Sequence, residues 1–305
     1  MGRKRRKVSR RIEDYLEERK VLLERALENF MPRPSGLAGD VIRAMNYTLF
    51  AGGKRIRPVL CMAGAEAVGG SADHVLPVAC AIELIHSYSL IHDDLPALDD
   101  DDFRRGKPTN HKVFGEAIAI LAGDGLLTLA FNLMARYGLE GKAEKKALLR
   151  VIDLIASAAG YQGMVGGQVV DISSEGKDQD PAMVEYIHTH KTGALIAASV
   201  TAGVILAGGT EEEVKSINTY GQQIGLAFQI ADDILNIEGN SSVMGKEIGG
   251  DEERGKITYP SVFGITQSKQ IQRESIDHAI EALNSFNERA EPLRDLARYI
   301  IKRKA

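Results

Sequence analysis

Apolar and polar residues along the chain repeat mainly with the spacing of α-helices. Long segments rich in Ala, Leu, Ile, Met, Glu and Lys are divided by short clusters of Gly, Pro or Asp, and strand patterns are nearly absent. These breaks fall near residues 32–39, 69–71, 96–108, 138–141, 176–181, 208–210 and 239–255. The helical pattern resumes after every break, and no interior stretch has the composition of a linker. The sequence therefore predicts an all-α protein with residues 12–305 as one domain, preceded by a basic, mobile arm at residues 1–11.

Two segments are apolar nearly all round, as expected of helices inside a bundle. In residues 75–94, the polar side chains His86, Ser89 and Asp93 follow steps of three and four and form one stripe. In residues 222–236, one face carries four polar side chains: Gln229, Asp232, Asp233 and Asn236. Carboxylates on mainly apolar helices are costly to bury unless a cation compensates them, so the two helices together indicate a cation site.

An acidic cluster follows the first of these helices. Asp93 and Asp94 are separated by Pro96 from four more aspartates at 99–102. Six residues of ideal helix turn through about 600°, so Asp99 can lie near Asp93 only if the backbone between them is irregular, which Pro96 favours. Magnesium prefers hard oxygen ligands and commonly links one or two carboxylates to a substrate diphosphate, whereas the spacing of a calcium loop is missing. A solvated acidic turn is the alternative for this cluster alone, and the second acidic helix favours the Mg2+ site.

Basic residues that suit a diphosphate occur in several motifs. Lys54 and Arg57 stand three apart in GGKRIRP, where we predict the first turn of a helix behind two flexible glycines. Arg104 and Arg105 follow the acidic cluster, and the arginine fork can hold phosphate oxygens bidentately. The further candidates are Lys191, Thr192, Lys246 and Lys256. Each basic residue alone is more commonly a surface charge, so the argument depends on their joint occurrence.

Composition and charge exclude several classes of protein. With 44% apolar and 26% charged residues the chain suits a large globular core, and its formal net charge of -4 argues against nucleic acid as a partner.

Cys61 and Cys80 lack metal-site spacing and are predicted to be buried thiols. We expect a cytoplasmic protein with no membrane span, because the sequence has no run of about 18 uninterrupted apolar residues and no signal-peptide pattern at its start. The phosphate, dinucleotide, serine-hydrolase and zinc-protease motifs GxxxxGK[ST], GxGxxG, GxSxG and HExxH have no match in the required context.

From about Asn46 to Pro260 the chain resembles the trans-type isoprenyl diphosphate synthases, most closely the bacterial-type farnesyl diphosphate synthases. The motifs occur in the family's order: GGKRIRP, IHSYSLIHDDLPALDDDDFRRGKPTNH, AGDGLL, GMVGGQVVD, HKTGAL, GLAFQIADDILN and GKITYP. The resemblance implies an isoprenoid synthase fold, in which one bundle of long helices surrounds a central substrate cavity and the two Asp-rich motifs face each other across its mouth. It also implies a homodimer.

The resemblance implies a role for each matching residue. The diphosphate of isopentenyl diphosphate would be held by Lys54, Arg57, His86 and Arg105. The allylic diphosphate would be contacted by Arg104, Lys191, Lys246 and Lys256. The catalytic residues, which would present oxygen dipoles to the allylic cation, are Lys191, Thr192 and Gln229. The Mg2+ ligands would be Asp93, Asp99 and Asp232, with Asp94 and Asp233 in support. Asn236 stands where the family's second motif commonly has aspartate.

Product length would depend on Tyr88 and Ser89. Tyr88 lies five residues before Asp93, about 7.5 Å along the helix axis, where its ring could close the cavity like a floor. Farnesyl-producing members carry an aromatic residue at this position and geranylgeranyl-producing members usually a smaller one, so we expect farnesyl diphosphate as the product. A geranylgeranyl diphosphate synthase and a non-catalytic subunit of a heteromeric synthase remain alternatives. A terpene cyclase is disfavoured because it needs no second diphosphate site.

Overall fold

The computed structural model describes residues 2–176, 180–238 and 256–302, with side chains from residue 12 to residue 301 within those ranges. The first helices are α1 Gly2–Phe30, α2 Gly39–Leu49, α3 Ile56–Ala67 and α4 Ala72–Asp93. A two-stranded hairpin, β1 Phe103–Arg104 with β2 Lys107–Pro108, precedes α5 Asn110–Phe114, α6 Glu116–Leu139, α7 Lys145–Ala159 and α8 Met164–Ser174. The remaining elements are α9 Pro181–Ile187, a π-helix His188–Gly193, α10 Ala194–Leu206, α11 Glu211–Glu238, α12 Tyr259–Ala282, a 3-10 turn Glu288–Ala290 and α13 Glu291–Lys302. The predicted all-α bundle is confirmed.

The predicted breaks separate helices wherever the structure describes them. Further breaks were not predicted, among them residues 50–55 before α3, Gly115 between α5 and α6, residues 160–163 before α8 and residues 283–287 after α12. In the first, Gly52 and Gly53 adopt positive φ angles of 93° and 133°, which favour glycine and end the helical path. The break at 239–255 lies outside the described residues.

Helix α4 is the central helix of the bundle. It packs against α1, α3, α6 and α10, and Val75, Val78 and Ile82 are fully buried. Burial on several sides explains why its sequence is apolar nearly all round. Helix α10 has the same character and lies so close to α3 that a Cβ at Gly203 would collide with the carbonyl oxygen of Cys61. Cys61 and Cys80 are buried free thiols, as predicted.

Helix α1 begins at Gly2, so the backbone of the predicted arm continues into this helix. The mobility of the arm and the domain boundary at residue 12 stay predictions. Three helical stretches among the described residues are long and apolar enough, by length and composition alone, to cross a membrane: Ala72–Asp93, Glu116–Leu139 and Lys145–Ser174. In the first of these, 67% of the apolar window is buried inside the bundle, so packing accounts for its composition.

Candidate active site

A cavity of about 740 Å³ opens beside the carboxyl-terminal end of α4 and is bounded by α8, the π-helix, α11 and the segment before α3. Twelve of the residues predicted for the site line it: Lys54, Arg57, His86, Tyr88, Ser89, Asp93, Arg104, Arg105, Lys191, Thr192, Gln229 and Asp232. Asp99 and Lys256 pair with each other, and Lys246 lies outside the described residues. Segments far apart in sequence therefore meet around one space, as the resemblance implied.

The polar stripe of α4 faces this cavity. His86, Ser89 and Asp93 all line it, which confirms the stripe predicted from their spacing. After α4 the chain turns back, and the Asp99 amide donates a hydrogen bond to the Asp93 carbonyl (2.9 Å). The irregular backbone expected around Pro96 thus brings the second group of aspartates back to the end of the helix.

The segment before α3 is fixed by a buried arginine that the sequence analysis did not single out. Arg55 adopts a left-handed backbone conformation (φ 53°), and its guanidinium reaches Glu83 (2.6 Å), Glu24 (3.1 Å) and the Leu49 carbonyl (2.6 Å). Helix α3 begins only at Ile56, so the predicted position of Lys54 in its first turn is wrong. The left-handed residue ends the loop there, and Lys54 precedes the helix.

Arg104 and Arg105 belong to the short β-hairpin. Arg105 and Gly106, at its tip, have φ angles of 54° and 74°, as in a type I′ turn, so consecutive arginines can project differently. Arg104 donates to Asp94 (2.6 Å), which is 2% exposed, whereas Arg105 donates to the Gly52 carbonyl. The hairpin therefore ties the acidic loop to the glycine segment before α3.

His86 stands among these cations. Burial, together with the nearby positive charges of Arg57 and Arg105, lowers its pKa well below the usual 6.5. Burial also lowers the pKa of both arginines, and their mutual repulsion adds to the effect on Arg57. This wall has an excess of positive charge and would be stabilised by an anion.

The acidic groups at the mouth pair with lysines. Lys256 contacts Asp99 (2.9 Å) and lies 4.0 Å from Asp171, while Lys191 contacts Asp171 (2.7 Å) and lies 3.8 Å from Asp93. Burial of Lys256 opposes its charge, but Asp99 and Asp171 outweigh that effect and raise its pKa. These contacts connect α4, α8, the π-helix and the segment before α12.

Sequence reasoning missed Gln168 and Asp171. Both belong to the motif GMVGGQVVD on α8, and Gln168 donates to Asp93 (2.8 Å). Their spacing of three on one helix face was an available signal, but without the fold nothing indicated that this face meets Asp93. Gly167 on the same helix allows the close approach, because a Cβ there would lie 2.6 Å from the Lys191 Cα.

The π-helix carries Lys191 and Thr192 to the cavity wall. Such wide turns are rare and frequently mark functional sites. Thr192 donates to the amide oxygen of Gln229 (2.9 Å) on α11. Asp232 lines the cavity, whereas Asp233 is 3% exposed and bonded to His188 (2.7 Å), so the polar face predicted for α11 divides between cavity and core.

Tyr88 and Ser89 line the same cavity. Tyr88 is only 8% exposed, and its ring contacts the His92 ring edge-on, with centroids 5.7 Å apart. This placement agrees with a ring that limits the depth of the cavity.

Hard carboxylate oxygens approach the mouth from α4, from the following loop and from α11, a donor chemistry that suits Mg2+. Asp93 and Asp99 already carry ammonium groups as counter-charges, so the environment tolerates cations beside them. Among the residues that the structure describes, no three acidic, histidine or cysteine side chains are close enough together to form a metal-binding group. The donor types fit the ion, and the assignment of individual ligands stays a prediction.

A helical bundle with a cavity that combines a cationic wall and an acidic mouth is typical of a class of enzyme that acts on diphosphates. The chain matches the Polyprenyl synthetase family over residues 40–297 and belongs to that family. It is therefore a prenyltransferase of isoprenoid biosynthesis.

Particular relatives divide between two products. The chain is 49% identical to a farnesyl diphosphate synthase of Geobacillus stearothermophilus, over 85% of this chain and 86% of that protein. It is 45% identical to a geranylgeranyl diphosphate synthase of Cyanophora paradoxa, over 95% of both. The apo crystal structure of an FPP/GFPP synthase from Zymomonas mobilis superposes with a TM-score of 0.83 at 34% identity, covering 97% of this chain and 99% of that one.

Proposed function

We propose that this prenyltransferase condenses isopentenyl diphosphate head to tail with dimethylallyl and then geranyl diphosphate to give farnesyl diphosphate. The observation that carries the choice of product is Tyr88, an aromatic residue 8% exposed that lines the cavity five residues before Asp93. A growing tail that enters from the mouth would meet this ring. Relatives bearing both product names support geranylgeranyl diphosphate as the alternative.

The cationic wall is the proposed site of the isopentenyl diphosphate group. Lys54, Arg57 and Arg105 supply positive charge, and His86, whose pKa is lowered, supplies a neutral imidazole N–H donor. A diphosphate placed here would relieve the repulsion between the arginines. The Arg55–Glu83 pair holds the segment that carries Lys54 and leads into Arg57.

The mouth is the proposed site of the allylic diphosphate. Arg104, Lys191, Lys246 and Lys256 would contact its oxygens. Mg2+ would be held by Asp93, Asp99 and Asp232, where it supplies Lewis-acid stabilisation of the leaving diphosphate. The lysines add fixed positive charge beside the same group as the allylic C–O bond breaks.

The inner wall would protect and orient the reacting carbons. Thr192 and Gln229 offer oxygen dipoles to the positive charge on the allylic carbon, while Met164 and Phe228 exclude water from it. The alkene of isopentenyl diphosphate forms the new carbon–carbon bond with that carbon. A proton then leaves to the departing diphosphate, which restores a double bond.

We further propose that the protein acts as a homodimer in the cytoplasm, without a membrane span and without nucleic acid as a partner. The net charge of -4 supports the absence of a nucleic-acid partner, and the burial of 67% of the apolar window of α4 inside the bundle argues against that helix as a membrane span. Purified protein supplied with Mg2+ and both substrates should be active alone. Inactivity that a partner protein relieves would favour the non-catalytic subunit instead.

The product is tested by mass analysis of prenyl alcohols from wild type, Tyr88→Ala and the control Tyr88→Phe. We expect farnesyl product from the wild type and from Tyr88→Phe, which keeps the ring. Tyr88→Ala should make longer products because the truncation opens space beneath the tail. Mainly geranylgeranyl product from the wild type would contradict the specificity, and an unchanged product from Tyr88→Ala would contradict the role of the ring.

A further inference from the structure

Two side-chain hydrogen bonds join the π-helix to α11. Thr192 Oγ1 donates to Gln229 Oε1 (2.9 Å) at the cavity, and His188 Nε2 pairs with Asp233 Oδ2 (2.7 Å) in the core. Within each element the paired residues stand four apart. The two elements are in close contact where these hydrogen bonds form, since a Cβ at Gly225 would lie 2.6 Å from the Gly193 Cα.

Asp233 links these two hydrogen bonds, because it bonds both His188 and Gln229. Its Oδ1 accepts a hydrogen bond from Gln229 Nε2 (3.1 Å), and its Oδ2 accepts a second one from the Tyr259 amide (3.0 Å). A carboxylate can only accept, so it requires the nitrogen end of the Gln229 amide to face it. The oxygen end of that amide then necessarily faces Thr192.

The orientation of Gln229 determines what Thr192 presents to the cavity. With its hydrogen committed to Gln229 Oε1, the Thr192 hydroxyl has only lone pairs to offer other neighbours. Both residues line the cavity. An oxygen with its lone pairs available stabilises a nearby positive charge, and a hydroxyl hydrogen in the same place would oppose it.

We infer that Asp233 is a positioning residue that sets the polarity of the Gln229–Thr192 pair, so that oxygen rather than hydrogen faces the allylic cation. The inference rests on the proposed condensation. It assigns Asp233 a part distinct from that of its neighbour Asp232, because Asp233 is bonded on both oxygens to protein donors in the core.

The substitution Asp233→Asn tests this polarity with little change in shape. His188 and the Tyr259 amide both need an acceptor at the position of Oδ2, so the new NH2 group must take the position of Oδ1. It would donate to Gln229 and turn that amide over, with Nε2 toward Thr192. Thr192 would then accept from Gln229, and its own hydrogen would be released toward the cavity.

The experiment measures kcat, the KM of both substrates and the Mg2+ concentration for half-maximal rate in four variants of the full chain beside the wild type: Asp233→Asn, Gln229→Leu, the double variant and His188→Phe. We expect Asp233→Asn to lower kcat about 10- to 100-fold, somewhat less than the loss of one oxyanion donor in other enzymes. The KM values and the Mg2+ dependence should change less than about 3-fold. In the Gln229→Leu background the added effect of Asp233→Asn should fall below about 3-fold, because its route to Thr192 is gone.

His188→Phe is the matched control, since it removes the hydrogen bond between His188 and Asp233 and leaves Gln229 intact. It should lower thermal stability with little effect on kcat. The inference is overturned if the kcat loss of Asp233→Asn persists in the Gln229→Leu background, if the Mg2+ requirement shifts with it, or if His188→Phe lowers kcat equally. An inactive wild type would instead contradict the proposed function, so the two failures are distinguishable.

Discussion

Replacing Glu83 by glutamine would remove one charge from a fully buried ion pair. The Arg55 side chain is 0% exposed and that of Glu83 2%, and their N···O distance is 2.6 Å. The pair holds the segment that carries Lys54 to the cavity and leads into Arg57. Its loss should therefore affect both stability and the binding of isopentenyl diphosphate.

The magnitude follows from what remains around Arg55. Removing one partner of a buried pair typically costs about 3–5 kcal/mol because the other charge stays buried. Arg55 keeps Glu24 and the Leu49 carbonyl, and glutamine retains an oxygen that can accept one hydrogen bond, so we expect the lower end, about 3 kcal/mol. At this chain length each kcal/mol lowers Tm by roughly 2 °C, which gives a decrease of about 6 °C.

Urea and thermal unfolding of Glu83→Gln, followed by circular dichroism, measure this effect. The matched control is Glu211→Gln, which breaks a solvent-exposed ion pair with Arg150. The Glu211 side chain is 73% exposed, so this substitution should change stability little. The KM for isopentenyl diphosphate should also rise in Glu83→Gln more than kcat falls. The reasoning is refuted if Glu83→Gln destabilises the protein no more than Glu211→Gln does.

Two further predictions concern charged groups of the cavity. Asp93→Ala or Asp232→Ala should lower turnover by at least about 1,000-fold with an unchanged circular dichroism spectrum, since each would remove a ligand of the catalytic ion; near wild-type turnover would rule out that role. Because burial and nearby arginines lower the pKa of His86 below 6.5, the unfolded chain takes up a proton that the folded chain does not as pH falls below 6.5. His86→Gln should therefore lose less stability than wild type between pH 7.5 and 5.5 in urea unfolding, and equal losses would count against a neutral buried imidazole.

Features that depend on residues close in sequence could be predicted. The helix breaks at glycine and proline clusters, the stripe on α4 and the irregular backbone between Asp93 and Asp99 all follow from helical geometry and local sterics. The wrong placement of Lys54 shows the limit of this reasoning. Its motif suits a helix start, but the start is delayed by Arg55, whose left-handed conformation depends on partners 6 to 31 residues away.

Features that depend on contacts between distant segments could not be predicted. Gln168 and Asp171 acquire a role only because α8 packs beside the end of α4, where they meet Asp93 and Lys191. The π-helix is equally hidden, since its sequence carries no breaker before Gly193. Its wide turn is held by hydrogen bonds to Gln229 and Asp233 on another helix.

Positive charge is in excess on one side of the cavity and balanced on the other, and this difference fits two diphosphates that play different parts in the reaction. On the cationic wall, burial and neighbouring arginines lower the pKa of Arg57 and Arg105, so positive charge there is in excess. At the mouth, carboxylates outweigh the effect of burial and raise the pKa of Arg104 and Lys256, so positive charge there is already balanced. Binding an anion on the cationic wall would by itself reduce the repulsion between the cations. At the mouth, where charges are already balanced, an anion would leave a net negative charge unless a further cation bound with it. The isopentenyl group, which stays intact, therefore suits the wall, and the allylic group, which must leave with stabilised negative charge, suits the mouth where aspartates can hold a cation.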